Sequence, residues 1–181
     1  MTISLPQSLL ERLRAGGEAA DDARARLVAG AQRSDEFREQ VAGALAADLR
    51  PFDRPIARWL LEQETVAHEA RGAGASEALF VLVAALARFG QPSDAMALWR
   101  ARQATAETRV GVDAEQFARA GLGATRASLA DLARVGGPDA TVAREALDWL
   151  DEAQATGAFD DLPTYFAWSD ARYGVHINGP T

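Results

Sequence analysis

Three features of the sequence predict an all-α, single-domain protein. One run is apolar on every side of a helix, apolar residues elsewhere recur at helical spacing, and glycine and proline punctuate the chain without β-type alternation. The run is Ser76 to Phe89, SEALFVLVAALARF, whose only charged residues, Glu77 and Arg88, sit near its two ends. Leu79, Phe80, Val81, Leu82, Val83, Leu86 and Phe89 occupy all sides of a 3.6-residue spiral, and a helix of that kind must be covered all round. At roughly 21 Å it is too short to cross a bilayer. It is expected as the central helix of a packed core, wrapped by its neighbours.

The other elements follow in chain order. Ser4 caps a first helix with Pro6 in its first turn, and Gly16-Gly17 ends it near Arg14. Glu18 to about Gln32 is an alanine-rich helix whose only large apolar residues are Leu27 and Val28. Ser34 caps the next, Asp35 and Glu36 suit its positive end, and Phe37, Val41, Leu45 and Leu49 repeat every four residues until Pro51. Asp53 is expected to cap a fourth helix, with Ile56, Trp59, Leu60, Val66, Ala67 and Ala70 buried and Arg58, Glu62, Thr65 and Glu69 facing water. After the central helix, Gly90 stops the chain and Pro92 restarts it into a helix marked by Met96, Leu98 and Trp99. Residues 105–112 read as loop. Asp113 with Gln116 three residues on is a capping-box pattern opening a short helix to Gly121. A further helix runs from Ala124 to Val135 and is broken by Gly136-Gly137-Pro138. Asp139 then caps a longer one to Thr156, with Ala143, Ala146, Leu147, Leu150 and Ala153 on one face and Glu145, Asp148 and Glu152 on the other. Asp161 and Pro163 start a last helix to about Arg172, and Gly174 onward reads as a loose tail.

Composition narrows the chemistry. The 181 residues contain no cysteine, which excludes disulfides, thiolate metal sites and cysteine nucleophiles. All 19 basic residues are arginine, so lysine Schiff bases and a Walker-type phosphate loop are excluded too. The first residues lack the basic and apolar regions of a signal peptide, and no run is long enough to cross a membrane; a cytoplasmic location is expected. The formal charge is −7, and it is concentrated. Between Asp139 and Asp161 seven acids stand against Arg144 alone, a local balance of −6. Such a surface repels phosphate backbones and attracts basic partners.

The sequence also repeats. Residues 84–92 read AALARFGQP and residues 130–138 read ADLARVGGP, an offset of 46, and Ala171-Arg172-Tyr173-Gly174 is a fainter third copy. The unit is helix, glycine stop, proline restart, helix, and stacked pairs of that kind bury what one pair cannot. The unit resembles an α-solenoid repeat. Its spacing is similar to that of HEAT repeats, and LARFGQPSDAMALW is similar to the helix junction of a tetratricopeptide repeat, although the offset departs from that family's period of about 34. The resemblance covers residues 76–173. It implies a helical scaffold that binds other proteins. The chain as a whole is expected to form about eight helices stacked as solenoid-like hairpins over residues 1–175, with a flexible tail at 176–181. The chain also resembles small bacterial helical proteins of antitoxin-like or immunity-like type.

Few residues suggest chemistry. Glu64 and His68, four apart on one helix, read as a flanking ion pair rather than a metal or acid–base site. Phe159, Tyr165, Phe166, Trp168 and Tyr173 crowd five of the thirteen aromatics into fifteen residues, either as an interface or as a cap closing the core. Trp59, Trp99 and Trp149 read as core. No esterase, zinc-protease, nucleotide-loop or EF-hand pattern occurs, and neither a catalytic residue nor a metal or cofactor is assigned. The expected function is a non-catalytic interaction scaffold or adaptor. Its expected contact residues are Glu145, Asp148, Glu152, Tyr165 and Trp168, and its expected partner a basic protein such as the target of an immunity-type protein. Two alternatives stay open: an enzyme with scattered Glu, Asp and Arg, and nucleic-acid binding through Arg12, Arg14, Arg24 and Arg26, which the net charge disfavours.

Overall fold

A computed structural model describes residues 4–32, 34–72 and 74–178. Among these lie ten α-helices: α1 (Leu5–Ala15), α2 (Gly17–Ala31), α3 (Asp35–Ala47), α4 (Arg54–Arg71), α5 (Glu77–Ala87), α6 (Ala95–Gln103), α7 (Ala106–Gly111), α8 (Leu122–Val135), α9 (Asp139–Ala155) and α10 (Leu162–Tyr173). Two 3-10 segments, Pro92–Asp94 and Ala114–Ala120, connect them, and the described residues contain no strand. No helix among them is long and apolar enough to cross a membrane.

The central helix is α5. Nine of its eleven residues are buried, from Ala78 and Leu79 through Val81 to Ala87. It packs chiefly against α3 and α4, and also meets α6, α10 and the 3-10 segment Ala114–Ala120. Four of the buried residues are small alanines at 78, 84, 85 and 87, which let neighbouring backbones approach closely. α1 and α2 form a hairpin that leans on α3, and α8 and α9 form a second hairpin against the 3-10 segments and α6.

Several caps form as the sequence predicts. The Ser4 side chain accepts from the Gln7 N–H in a full capping box, Ser34 Oγ accepts from the Phe37 N–H, and Asp161 accepts from the Thr164 N–H. Others differ. Thr105 and Thr108 form a capping box with threonine in the acceptor position, and residues expected as loop become α7. Conversely, Asp113 does not cap. Its carboxylate accepts from Tyr165 Oη at 2.7 Å, while Gln116 donates to Ser169 Oγ at 2.7 Å. With both side chains committed to α10, residues 114–120 wind as a 3-10 segment instead of an α-helix. The described residues hold ten α-helices where about eight were expected.

Two further expectations are corrected. On α4 the buried stripe runs Ala57, Leu60, Leu61, Glu64, Thr65 and His68, so Leu60 is buried as expected, while Val66 is 61% exposed. Thr65 is admitted to the interior because its hydroxyl donates to the Leu61 carbonyl at 2.7 Å. Asp53 caps nothing with its side chain. It is buried and accepts both Arg14 Nε (2.9 Å) and Arg14 Nη2 (2.5 Å) from α1. The end of the chain is also docked as far as Asn178. Val175 is fully buried, Ile177 forms a parallel bridge with Leu49, and the Asn178 N–H donates to the Leu49 carbonyl at 2.6 Å. A buried valine holds the chain where glycine alone predicted looseness; positions 179–181 of the expected tail lie outside the described residues.

Candidate functional site

A mainly apolar pocket of about 420 Å³, partly open to solvent, lies among α2, α3, α4 and α5. It exists because α2 is too poor in large side chains to fill its own contact. Leu27 and Val28 are its only large apolar residues, with Ala31 beside them on the cavity wall. Across the space stand Phe37, Val41 and Ala42 from α3, Trp59, Leu60 and Ala67 from α4, and Leu82 from α5. Phe37 lies directly on the backbone of α2 at Gly30. A Cβ there would come within 2.4–2.9 Å of three of its ring atoms, so only glycine permits this closure.

One side of the cavity is polar. The Arg38 guanidinium, with its side chain 9% exposed, holds Glu64, 4% exposed, through Nε at 3.0–3.1 Å. It also donates to the Ala31 carbonyl at 2.6 Å and to Asp35, tying the end of α2 to α3 and α4. Ser76 Oγ donates to Glu64 Oε1 at 2.7 Å. The Ser76 N–H donates to His68 Nε2 at 2.9 Å, which places the imidazole proton on Nδ1, where it donates to the Glu64 carbonyl at 2.8 Å. His68 thereby satisfies a backbone donor at the start of α5, a task the capping serine's own side chain does not perform. Arg71 closes the set by donating to Asp35 at 2.9 Å. Glu64 and His68, 3.4 Å apart, are therefore not on a flank but are two buried members of a network joining four helices. Among the described residues no set of three possible metal ligands converges.

The residues expected to bind a partner fall in two separate places. Glu145, Asp148 and Glu152 are all exposed on α9, and none has an ion-pair partner among the described residues. Asp139 and Asp151 in the same segment are answered by Arg100 and Arg126. Tyr165 and Trp168 lie on α10, which packs on α5 and the 3-10 segment Ala114–Ala120. Tyr165 is partly buried and tied to Asp113 and Gln116. Burial, then the hydrogen bond and charge of Asp113, push its phenol well above the ordinary value. Trp168 is 51% exposed, its ring 5.6 Å from Tyr165 and 6.5 Å from Tyr173.

The three other tryptophans divide differently. Trp99 is buried against Trp149 at 5.3 Å, and Phe117 meets Trp149 edge-on at 5.2 Å. Arg102 stacks 4.1 Å over Trp149, and burial lowers its pKa from the usual arginine value. Trp59, expected in the core, is only partly buried and lines the cavity. The arginines of the first two helices are neutralised. Arg12 and Arg26 meet Asp22, Arg24 meets Asp21, and Arg14 meets Glu11, Asp48 and Asp53.

The cavity was not legible in the sequence as a site. Its one visible sign was the thin apolar stripe of α2, which cannot fill a full helix–helix contact. Arg38 carried no sign, because its partner Glu64 lies 26 residues away.

The fold and these sites define a class: a helical protein packed around one apolar helix, with a partly open apolar pocket and a separate acidic outer face. No family model matches the chain, nor does any curated protein or solved structure.

Proposed function

We propose that this chain is a non-catalytic, protein-binding scaffold whose acidic α9 face docks a basic protein. The observation that carries the reading is the concentration of unpaired acids on one helix face. In the N-terminal half, Glu11, Asp21, Asp22, Asp35, Asp48 and Asp53 are held by arginines, and the acids without one among the described residues, Glu18, Glu36, Glu39 and Glu69, are spread over α2, α3 and α4. On α9, Glu145, Asp148 and Glu152 face outward with no such partner among the described residues. Three like charges on one helix face repel one another, and a cationic partner relieves that cost. Their summed field speeds and orients the encounter more than it raises affinity.

The repeated helix–glycine–helix unit supports the scaffold part of the reading, since both windows end one helix at a glycine and lead into another: α5 into α6 across Gly90, and α8 into α9 across Gly136. The specific version is an immunity-type protein that covers the basic surface of a toxic partner, with exposed Trp168 as an added aromatic contact. The paired arginines of α1 and α2 speak against the nucleic-acid alternative, because their charge is already met within the fold.

The test is capture of a partner from native lysate, followed by association rates for wild type and the Glu145→Arg, Asp148→Arg, Glu152→Arg variant. The variant should associate at least about tenfold more slowly at low salt, and the gap should close near 1 M salt, where the Debye length is about 3 Å. Equal rates at low salt would remove α9 from the interface.

A further inference from the structure

We infer that the cavity between α2, α3, α4 and α5 is a binding site for an uncharged, mainly apolar small molecule carrying a hydrogen-bond acceptor, such as a medium-chain ketone or ester.

Size comes first. A pocket of about 420 Å³ lies inside the usual range of small-ligand pockets. The lining decides the body of the ligand. Leu27, Val41, Leu60, Leu82 and the rings of Phe37 and Trp59 offer it no charge and little polarity.

Charge decides its head. Arg38, Arg71 and Glu64 line the pocket, and Asp35 beside them is bonded to both arginines, so the four charges cancel. An ionised ligand would meet charges already paired and would lose part of its hydration, which is unfavourable. Arg38 supplies the polar handle. A guanidinium has five N–H donors. Here Nε–H is committed to Glu64, one hydrogen on Nη1 to the Ala31 carbonyl and one on Nη2 to Asp35, and the other two, without a partner among the described residues, can serve an acceptor oxygen. The donors are held rigidly by that network, as a specific site requires.

The site is independent of the α9 face, since no α9 residue lines the cavity. Failure of one proposal therefore leaves the other standing.

The experiment uses the neutral fluorophore N-phenyl-1-naphthylamine, with 2-decanone and decanoate as competitors at neutral pH. Wild type should enhance the probe's fluorescence. 2-Decanone should displace it and raise the melting temperature, while decanoate should compete at least about tenfold more weakly. Two variants fill the space from opposite walls: Ala67→Trp on α4 and Ala31→Phe on α2. Each that keeps wild-type helicity should lose probe and ketone together. Glu64→Gln, which leaves one positive charge uncompensated, should narrow or reverse the preference for ketone over decanoate. No probe binding by wild type, unchanged binding in a folded filled variant, or decanoate equal to 2-decanone in wild type would overturn the proposal.

Discussion

Residues 84–92 and 130–138 carry nearly the same nine residues, yet the fold uses them differently. Both windows end one helix, turn on a glycine and begin another: α5 into α6, and α8 into α9. In the first, Ala84, Leu86 and Ala87 are buried. In the second, their counterparts are Ala130, which is exposed, Leu132, which is 37% exposed, and Ala133, which is half-buried. Of the fourteen residues of α8, only Thr125 and Leu129 are buried. The arginines diverge as well. Arg88 reaches Asp170 on α10 at 3.6 Å, whereas Arg134 pairs with Asp131 one turn back on its own helix. A shared local motif thus specifies a hairpin but not its depth in the core. Depth comes from the residues around it: α5 adds Leu79, Val81, Leu82 and Val83, whose counterparts in α8 are Thr125, Ala127, Ser128 and Leu129.

The largest expected effect tests depth directly. Leu86→Ala should cost about 2–5 kcal/mol in urea unfolding, because a fully buried leucine leaves a cavity. Leu132→Ala, at the equivalent position, should cost less than about 1 kcal/mol. Equal costs would mean the second hairpin is covered as fully as the first.

The glycines should behave alike where the leucines differ. Gly90 has φ +59° and Gly136 φ +83°, both in territory that favours glycine. Alanine at either should cost about 1–3 kcal/mol. Gly90→Ala should be the worse of the two, since its Cβ would also stand 3.3 Å from the Arg119 carbonyl oxygen while Gly136 has open space. The measurement is again the urea midpoint of each variant.

A smaller effect concerns α10, which covers α5. The folded state holds the Tyr165 proton more tightly than the unfolded chain, whose phenol has the ordinary value of 10.0. Its contribution is complete below pH 10 and is lost as pH rises beyond it. Melting temperature should therefore fall between pH 9 and 11, and Tyr165→Phe should flatten that part of the decline. An identical slope in the variant would assign the loss to other groups.

The smallest effect belongs to the acidic face. Reversing Glu145, Asp148 and Glu152 together should change unfolding free energy by no more than about 0.5 kcal/mol per site, since all three side chains are in water. Loss of folding would place that face of α9 inside a contact.

Much of the helical architecture was legible from local pattern, because its causes are local. Ser4, Ser34 and Asp161 cap helices with hydrogen bonds only three residues long. Gly16, Gly72 and Gly174 end helices through their own backbone angles. The central place of α5 was legible for a different reason: a helix apolar on all sides admits no exposed face.

The candidate sites were only half legible. The acids of α9 announce themselves by periodicity, and the fold leaves Glu145, Asp148 and Glu152 exposed as that spacing predicts. The cavity and its polar side depend on meetings between distant residues: Arg38 with Glu64, Arg14 with Asp53, Tyr165 with Asp113. Those meetings redirected side chains whose local roles looked settled. Asp53 and Asp113 read as caps and became partners of other helices, and Thr65 read as wet and became buried.

The sequence by itself determined that this chain is helical, where its turns fall, which helix lies at the centre and where negative charge gathers, because periodicity, capping and glycine geometry act within a few residues. Only the tertiary structure decided which copy of the repeated hairpin is deep, which face of α4 points inward and where space stays unfilled, because burial and ion pairing are properties of neighbours that folding brings together from far along the chain.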